Sequence, residues 1–256
     1  MRVMTLNING IRAGERKGFF AWFLQQNVDV LCLQEIKAQA DQIDGQAFHL
    51  PGYHRYLACA EKKGYSGVAL YLRSKPEQVI SNLSWPVSDE EGRYLHAEYP
   101  SYIVASLYLP SGTSGDVRQA IKFDYLDQMM VHIKSLKNTG KHLLLCGDWN
   151  IAHKAIDLKN WRANQKHSGF LPEERAWMDG LFSEGLMVDA FRQINELPDQ
   201  YTWWSNRGNA WANNVGWRID YHVVSPELAS KVLSASICTD QRSSDHPPLT
   251  DEYSLE

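Results

Sequence analysis

Residues 142–150 read HLLLCGDWN, and the architecture can be worked out from this stretch. His142–Cys146 is a short apolar run without polar alternation, and it ends in Gly147, Asp148 and Asn150. A strand with one wet face alternates apolar and polar residues, whereas an unbroken run reads as a strand covered on both faces. The same design recurs at Arg2–Leu6, Val28–Leu33, Gly67–Leu72, Tyr102–Leu109 and Ile219–Val224. Helical patterns lie between these runs. In Gly115–Lys137, residues Val117, Ile121, Tyr125, Met129 and Ile133 recur every four positions as one apolar stripe. Lys17–Gln26 is a second helix. A third starts near Pro172, where Pro and two Glu suit a first turn, and stops near Gly185. Strand and helix signals alternate, yet some strands follow one another closely. An α/β fold of layers with mixed sheets is therefore expected.

Polar residues stand at the ends of these apolar runs. Asn7 and Asn9 follow the first, Glu35 follows the second, Tyr108 lies in SLYLP, and Asp148 and Asn150 close LLLCG. Any one of them alone is an ordinary turn residue or helix cap. Several in one chain point to functional groups gathered at one rim of a sheet.

The 256 residues suit one domain spanning 1–256, since no repeat, low-complexity tract or Pro/Gly/Ser-rich linker divides them. The 44% hydrophobic and 22% charged fractions are those of a globular protein, and no apolar run reaches membrane-spanning length. MRVMTLNING lacks the layout of a signal peptide, so a cytoplasmic protein without membrane contact is expected. None of the four cysteines form a C-x-x-C pair, and Cys32 and Cys146 sit in apolar runs as core thiols. A net charge of −4 argues against passive coating of nucleic acid but allows acidic metal ligands with a local basic rim.

The carboxylates carry the chemistry. Asp220 lies inside WRIDYHVV, where an ionised group is costly unless paired, hydrogen-bonded or bound to metal. A salt bridge to Arg218, or a surface-facing position on an edge strand, is its structural alternative. Glu35, with Asn9 and Asp245, is the best set for a hard cation such as magnesium, which takes oxygen ligands. Zinc is disfavoured because no H-x-x-x-H spacing or cysteine cluster occurs. His246 sits in SSDHPP, and a carboxylate from elsewhere, such as Asp220, could orient its ring.

The chain resembles the exonuclease III/AP endonuclease branch of the endonuclease–exonuclease–phosphatase superfamily. The resemblance rests on an ordered set: LNINGIRA (Leu6–Ala13), LQEIK (Leu33–Lys37), GYSGVALY (Gly64–Tyr71), EGRY (Glu91–Tyr94), SLYLPSG (Ser106–Gly112), GDWNIAH (Gly147–His153), GFLPEER (Gly169–Arg175), NNVGWRIDY (Asn213–Tyr221) and SDHPP (Ser244–Pro248). It implies a four-layer sandwich of two packed mixed β-sheets flanked by helices. It also implies roles. Glu35 would hold magnesium, or manganese as a substitute, with Asn9 and Asp245 as direct or water-mediated partners. Asp148 would position or deprotonate the attacking water. Asn7, Asn150 and Tyr108 would contact the phosphate, and His246, oriented by Asp220, would stabilise the transition state. Positions matching Trp203, Trp217 and Ile219 wall a pocket for an abasic sugar, and Asn160 and Asn164 match a DNA-contacting loop. Trp204 and Trp211 are either core or DNA contacts.

The chain departs from the family's pattern at two positions. Ser111 stands where many relatives have Asn, and His167 stands where the family generally has a smaller side chain. A ring over the cleft would hinder an abasic nucleotide entering from continuous duplex, while a frayed 3′ end could still enter. The resemblance therefore implies a monomeric, magnesium-dependent DNA-repair phosphodiesterase. It would process blocked 3′ ends of double-stranded DNA, with incision at internal abasic sites reduced by His167. The alternatives are a full AP endonuclease, a superfamily phosphatase acting on lipid or small-molecule phosphates, and a non-catalytic DNA-binding relative.

Overall fold

The computed structural model describes residues 1–183 and 185–254. One six-stranded sheet contains β1 (Arg2–Asn7), β2 (Val30–Gln34), β3 (His54–Ala58), β4 (Val68–Leu72), β13 (Val232–Ile237) and β14 (Leu249–Tyr253), in the order β13-β14-β1-β2-β4-β3. The other contains β5 (Gln78–Ile80), β6 (Tyr94–Glu98), β7 (Tyr102–Tyr108), β8 (His142–Asp148), β9 (Val188–Asp189) and β12 (Asp220–Val224), in the order β5-β6-β7-β8-β12-β9. Each is mixed: β1 runs parallel to β2, and β7 parallel to β8, among antiparallel neighbours. A short ribbon pairs β10 (Trp203–Trp204) with β11 (Gly216–Trp217).

The unbroken apolar runs have the expected cause. In β8, Leu144 and Cys146 enter the core between the sheets, with Val30, Cys32 and Val104. Leu143 and Leu145 face the other way, into a core with Tyr125, Met129, Ile133 and Met178 from covering helices. In β2, Leu31 and Leu33 turn outward to meet Phe19, Phe20 and Phe23. Helix, sheet, sheet and helix therefore form four layers, as the resemblance implied.

Several boundaries differ from the sequence reading. The helix expected over Lys17–Gln26 is the shorter α2 (Phe19–Phe23), which starts after Gly18 at a left-handed φ of 81°; a further short helix that was not expected, α1 (Ile11–Arg16), precedes it. A third short helix, α3, covers Pro86–Glu90. The long helix α4 spans Asp116–Lys137, but its buried face is Lys122, Tyr125, Leu126, Met129, Ile133 and Leu136. Val117 is 79% exposed. A strict four-residue spacing drifts around a helix of 3.6 residues per turn, so a stripe drawn that way leaves the core within three turns. After α5 (Trp161–Asn164), α6 spans Pro172–Leu181, ending short of Gly185. Strands β3, β5, β6, β9, β10, β11, β13 and β14 were missed. β3, β5 and β13 are edge or polar strands, and the burial of β13 (Val232–Ile237) shows little of a covered face.

Candidate active site

The polar strand ends meet at one rim. In the second sheet, Tyr108, Asp148 and Asp220 are direct neighbours across β7, β8 and β12, since Tyr108 pairs with Asp148 and Asp148 with Asp220. Gly147 lets the strands close here: a Cβ at that position would sit 1.9 Å from the Leu107 carbonyl oxygen. From the first sheet, Asn7 ends β1 and Glu35 follows β2. The Asn7 amide joins the sheets, donating to Glu35 Oε1 at 2.8 Å and to Asp148 Oδ2 at 2.9 Å. Both of its N–H groups are thereby engaged, so a direct phosphate contact by Asn7 would require breaking one of these bonds. Asn150 donates its backbone N–H to Asp148 Oδ1 at 2.8 Å and its side-chain amide to the Leu109 carbonyl at 2.9 Å.

His246 lies in the segment before β14. Its Nδ1 is 2.8 Å from Asp220 Oδ2, in a buried pair. Arg218 does not pair with Asp220; it is held by Asp157 and Asp189 instead. Burial alone would lower the His246 pKa, but the Asp220 carboxylate, helped by Asp148 and Asp245, carries it up to about 10. Burial and the facing charge of Asp220 push Asp148 up to about 7, against the pull of His246 and the hydrogen bonds from Asn7 and Asn150. The same cluster thus holds a carboxyl poised near neutrality and a persistent imidazolium. Tyr108 is raised well above its ordinary value by burial and by the Glu35 charge. The Arg93 guanidinium sits 4.5 Å from the Tyr108 ring centroid and donates to the Tyr108 carbonyl at 2.9 Å.

Glu35, Asn9 and Asp245 come together in a second group, linked by a residue the sequence reading missed. The Lys37 ammonium lies 2.7 Å from Glu35 Oε2 and also donates to Asn9 Oδ1. Asn9 in turn donates to Asp245 Oδ1 at 2.9 Å. Burial opposes ionisation of Glu35, but the Lys37 charge, the hydrogen bonds from Asn7 and Lys37 and the more distant His246 together outweigh it and lower its pKa. Asp245 is lowered as well: burial opposes this, while His246 and the bonds from Asn9 and Trp203 favour the anion. A cation therefore already sits against two of the three oxygen donors expected to hold a metal, and an all-oxygen set with room for water suits a hard divalent ion. The Asp148–Asp220–His246 group also brings ligand atoms within 4.8 Å of one another. There, however, the ring nitrogen shares a proton with Asp220, and an imidazolium repels a cation. The Glu35 group is the better fit. Asn9, Glu35, Lys37 and Asn150 all have left-handed φ values of 47–51°, which are sparsely populated outside glycine and gather at working sites.

Both groups open into a cavity of about 630 Å³. Glu35, Tyr108, Asp148, Asn150, Asp245 and His246 line it together with Asn164, His167, Trp203, Trp217 and Ile219. The β10–β11 ribbon sets Trp203 opposite Trp217. The Trp203 indole N–H donates to Asp245 Oδ2 at 3.1 Å, tying the pocket wall to the oxygen group. Asn160 is exposed and outside the lining, though its carbonyl accepts from the Asn164 amide at 2.9 Å. Ser111 lines the mouth and bonds Thr113 at 3.0 Å. Trp204 and Trp211 form a small core with Tyr201 and Ala210, their ring centroids 4.4 Å apart. Arg207, the basic residue of the stretch Gln200–Trp217 whose tryptophans and arginine suit contact with DNA, also lines the cavity.

The profile of the endonuclease/exonuclease/phosphatase family matches residues 4–246. The chain belongs to the endonuclease/exonuclease/phosphatase family. Full-length relatives place this family member in the exonuclease III/AP endonuclease branch. It is 38% identical to an exodeoxyribonuclease of Bacillus subtilis, covering 97% of this chain and 98% of the relative. It is 36% identical to the DNA repair nuclease APEX1 of Danio rerio, covering 98% and 81%. Among solved structures, the 3′-5′ exonuclease NExo of Neisseria meningitidis superposes with a TM-score of 0.89 at 27% identity, covering 100% of both chains. An AP endonuclease from Archaeoglobus fulgidus superposes at 0.90 with 26% identity and the same coverage.

Proposed function

We propose that this chain is a magnesium-dependent DNA-repair phosphodiesterase that processes blocked or damaged 3′ ends of duplex DNA, with incision at internal abasic sites restrained by His167. The observation that carries the reading is that Asp148 and His246, of opposite proton character, bring atoms within 4.8 Å of each other in a cavity also lined by Trp203, Trp217 and Ile219. Exodeoxyribonuclease and DNA-repair nuclease relatives support the nucleic-acid substrate, and a Neisseria 3′ phosphatase structure bound to product DNA hairpin supports a 3′-end task.

In this reading Asp148 takes the proton of the attacking water, and Asn7 and Asn150 hold its carboxylate. Asn150 and Tyr108 contact the phosphate. His246, fixed by Asp220, donates to a non-bridging oxygen as negative charge builds there. When bound at Glu35, with Asn9 and Asp245 alongside, magnesium supplies charge neutralisation at the scissile phosphate, and manganese accepts the same donors. Trp203, Trp217 and Ile219 enclose the terminal sugar, and Asn160 and Asn164 face the DNA backbone. The catalytic groups sit at the rim of two sheets that share one core, which supports a single domain over 1–256. The four cysteines are free thiols, which supports a reducing, cytoplasmic setting. Among the described residues no helix is long and apolar enough to cross a membrane.

Two measurements test this. EDTA abolishes hydrolysis of a 3′-phosphoglycolate duplex and magnesium restores it. Glu35→Ala then raises the magnesium needed for half-maximal rate by at least about ten-fold. Full activity of the stripped protein removes Glu35 from this role. The second concerns His167, which is exposed at the cavity mouth. His167→Gly raises cleavage at an internal abasic analogue relative to 3′-end hydrolysis, on the order of ten-fold, the effect of a small change in barrier. An unchanged ratio rules this role of His167 out and makes the ring inconsequential.

A further inference from the structure

A buried ion pair beneath the site takes no part in this chemistry. Lys122, on the inner face of α4, and Glu174, in the first turn of α6, are both 0% exposed, with Nζ 2.6 Å from Glu174 Oε1. Glu174 belongs to the GFLPEER segment, to which no role has yet been attached. Removing two charges from water is expensive, and in some proteins such pairs serve to fix one arrangement over others.

The arrangement fixed here is that of three cleft segments. Lys122 Nζ also donates to the Asn150 carbonyl at 2.8 Å, bracing the turn after Asp148. Glu174 Oε2 accepts from the backbone N–H of Gly169 at 2.6 Å and of Leu171 at 3.0 Å. Ser168 Oγ lies 3.4 Å from Glu174 Oε1 and accepts from the Gly112 N–H at 3.1 Å, drawing in the loop after Tyr108. The Ala152 N–H donates to the Gly169 carbonyl at 2.8 Å, closing the ring. His167 stands directly before these anchored residues. Its N–H donates to the Asn164 carbonyl and its carbonyl accepts from the Phe170 N–H, so its backbone moves with Gly169.

We propose that Lys122 and Glu174 form a positioning pair for substrate choice, holding His167 at a set distance from the Asn150 turn and so fixing the ratio of 3′-end hydrolysis to internal incision. This rests on the His167 reading above. A loop released from its anchor lets the ring swing off the cleft mouth, and duplex then gains access.

The test is that ratio, measured on one preparation with an internal abasic duplex and a 3′-blocked duplex, so that the folded fraction cancels. Lys122→Met/Glu174→Gln removes both charges together and leaves no orphaned ion. It should raise internal incision relative to end hydrolysis about five-fold, since small displacements near a reacting group change rates strongly. In a His167→Gly background the same double change should add nothing, because coupled residues are not additive. If His167→Gly raises the ratio and the double variant does not, the pair only supports the fold and the inference fails alone. A ratio unmoved by His167→Gly overturns the His167 reading and this inference with it. A rise that persists without His167 places the effect in the catalytic turn, which also overturns it. Should the double variant fail to fold, Ser168→Ala carries the same comparison, with a rise of about two-fold expected from loss of one bridging hydroxyl.

Discussion

Asp148→Asn is expected to lower kcat by about 10³-fold, within the range seen when a positioned base is lost. The amide keeps the shape of the carboxylate and can still accept from Asn7 or Asn150, so the DNA dissociation constant should change little. Stability should not fall. The folded state raises the Asp148 pKa from 3.8 to about 7, so it binds that proton more tightly than the unfolded chain does. Stability linked to this group is therefore full below pH 4 and declines as pH rises to about 7. An amide removes the decline, and the variant's melting temperature at pH 8 should equal or exceed the parent's. The parent's rate should climb as pH passes about 7 and the carboxylate becomes free to accept a proton. A variant that retains a tenth of the parent's kcat would show that another group activates the water.

His246→Gln is expected to reduce kcat by about 10²- to 10³-fold, with DNA affinity nearly unchanged, as for loss of a donor aimed at developing charge. The ring is charged up to about pH 10 because Asp220 outweighs its burial, so the parent should hold its rate from about pH 8 to 9 and lose it as pH approaches 10. The variant should lack that upper limb. The proton affinity gained on folding also makes His246 stabilising below pH 6.5, a contribution lost as pH rises through about 10. Replacing it leaves Asp148 and Asp220 paired in register without the intervening cation, and a lower melting temperature at neutral pH should accompany the kinetic loss. An equal loss in binding and turnover would recast His246 as a residue that only positions DNA.

The layered architecture was legible because the central strands are buried on both faces. Leu143 and Leu145 serve one core and Leu144 and Cys146 another, which leaves no polar position in the run. Strand-end polarity likewise marked Asn7, Glu35, Tyr108 and Asp148, because a sheet collects at one edge what its strands carry at their ends. What stayed hidden depends on pairings distant in the chain. That Asp220 faces Asp148, and thereby lifts its pKa, follows from the β8–β12 register. The Lys37 bridge requires a left-handed backbone at Glu35 and Lys37 that no local pattern announces. Lys122 reads as an ordinary surface lysine until α4 is rotated by the drift that exposes Val117.

The Asn7–Asp148 bond crosses from one sheet to the other, and the His246–Asp220 bond ties the segment before β14 to β12 of the second sheet. Neither half of the sandwich owns a complete set of reacting groups. A nascent or partly unfolded chain therefore cannot cut its substrate, however much secondary structure it has gained. On dilution from denaturant, hydrolysis should appear only with the last kinetic phase, when the halves dock. Cleavage is thus a clock for the end of folding, and a cell making this nuclease is guarded against its immature forms by geometry alone.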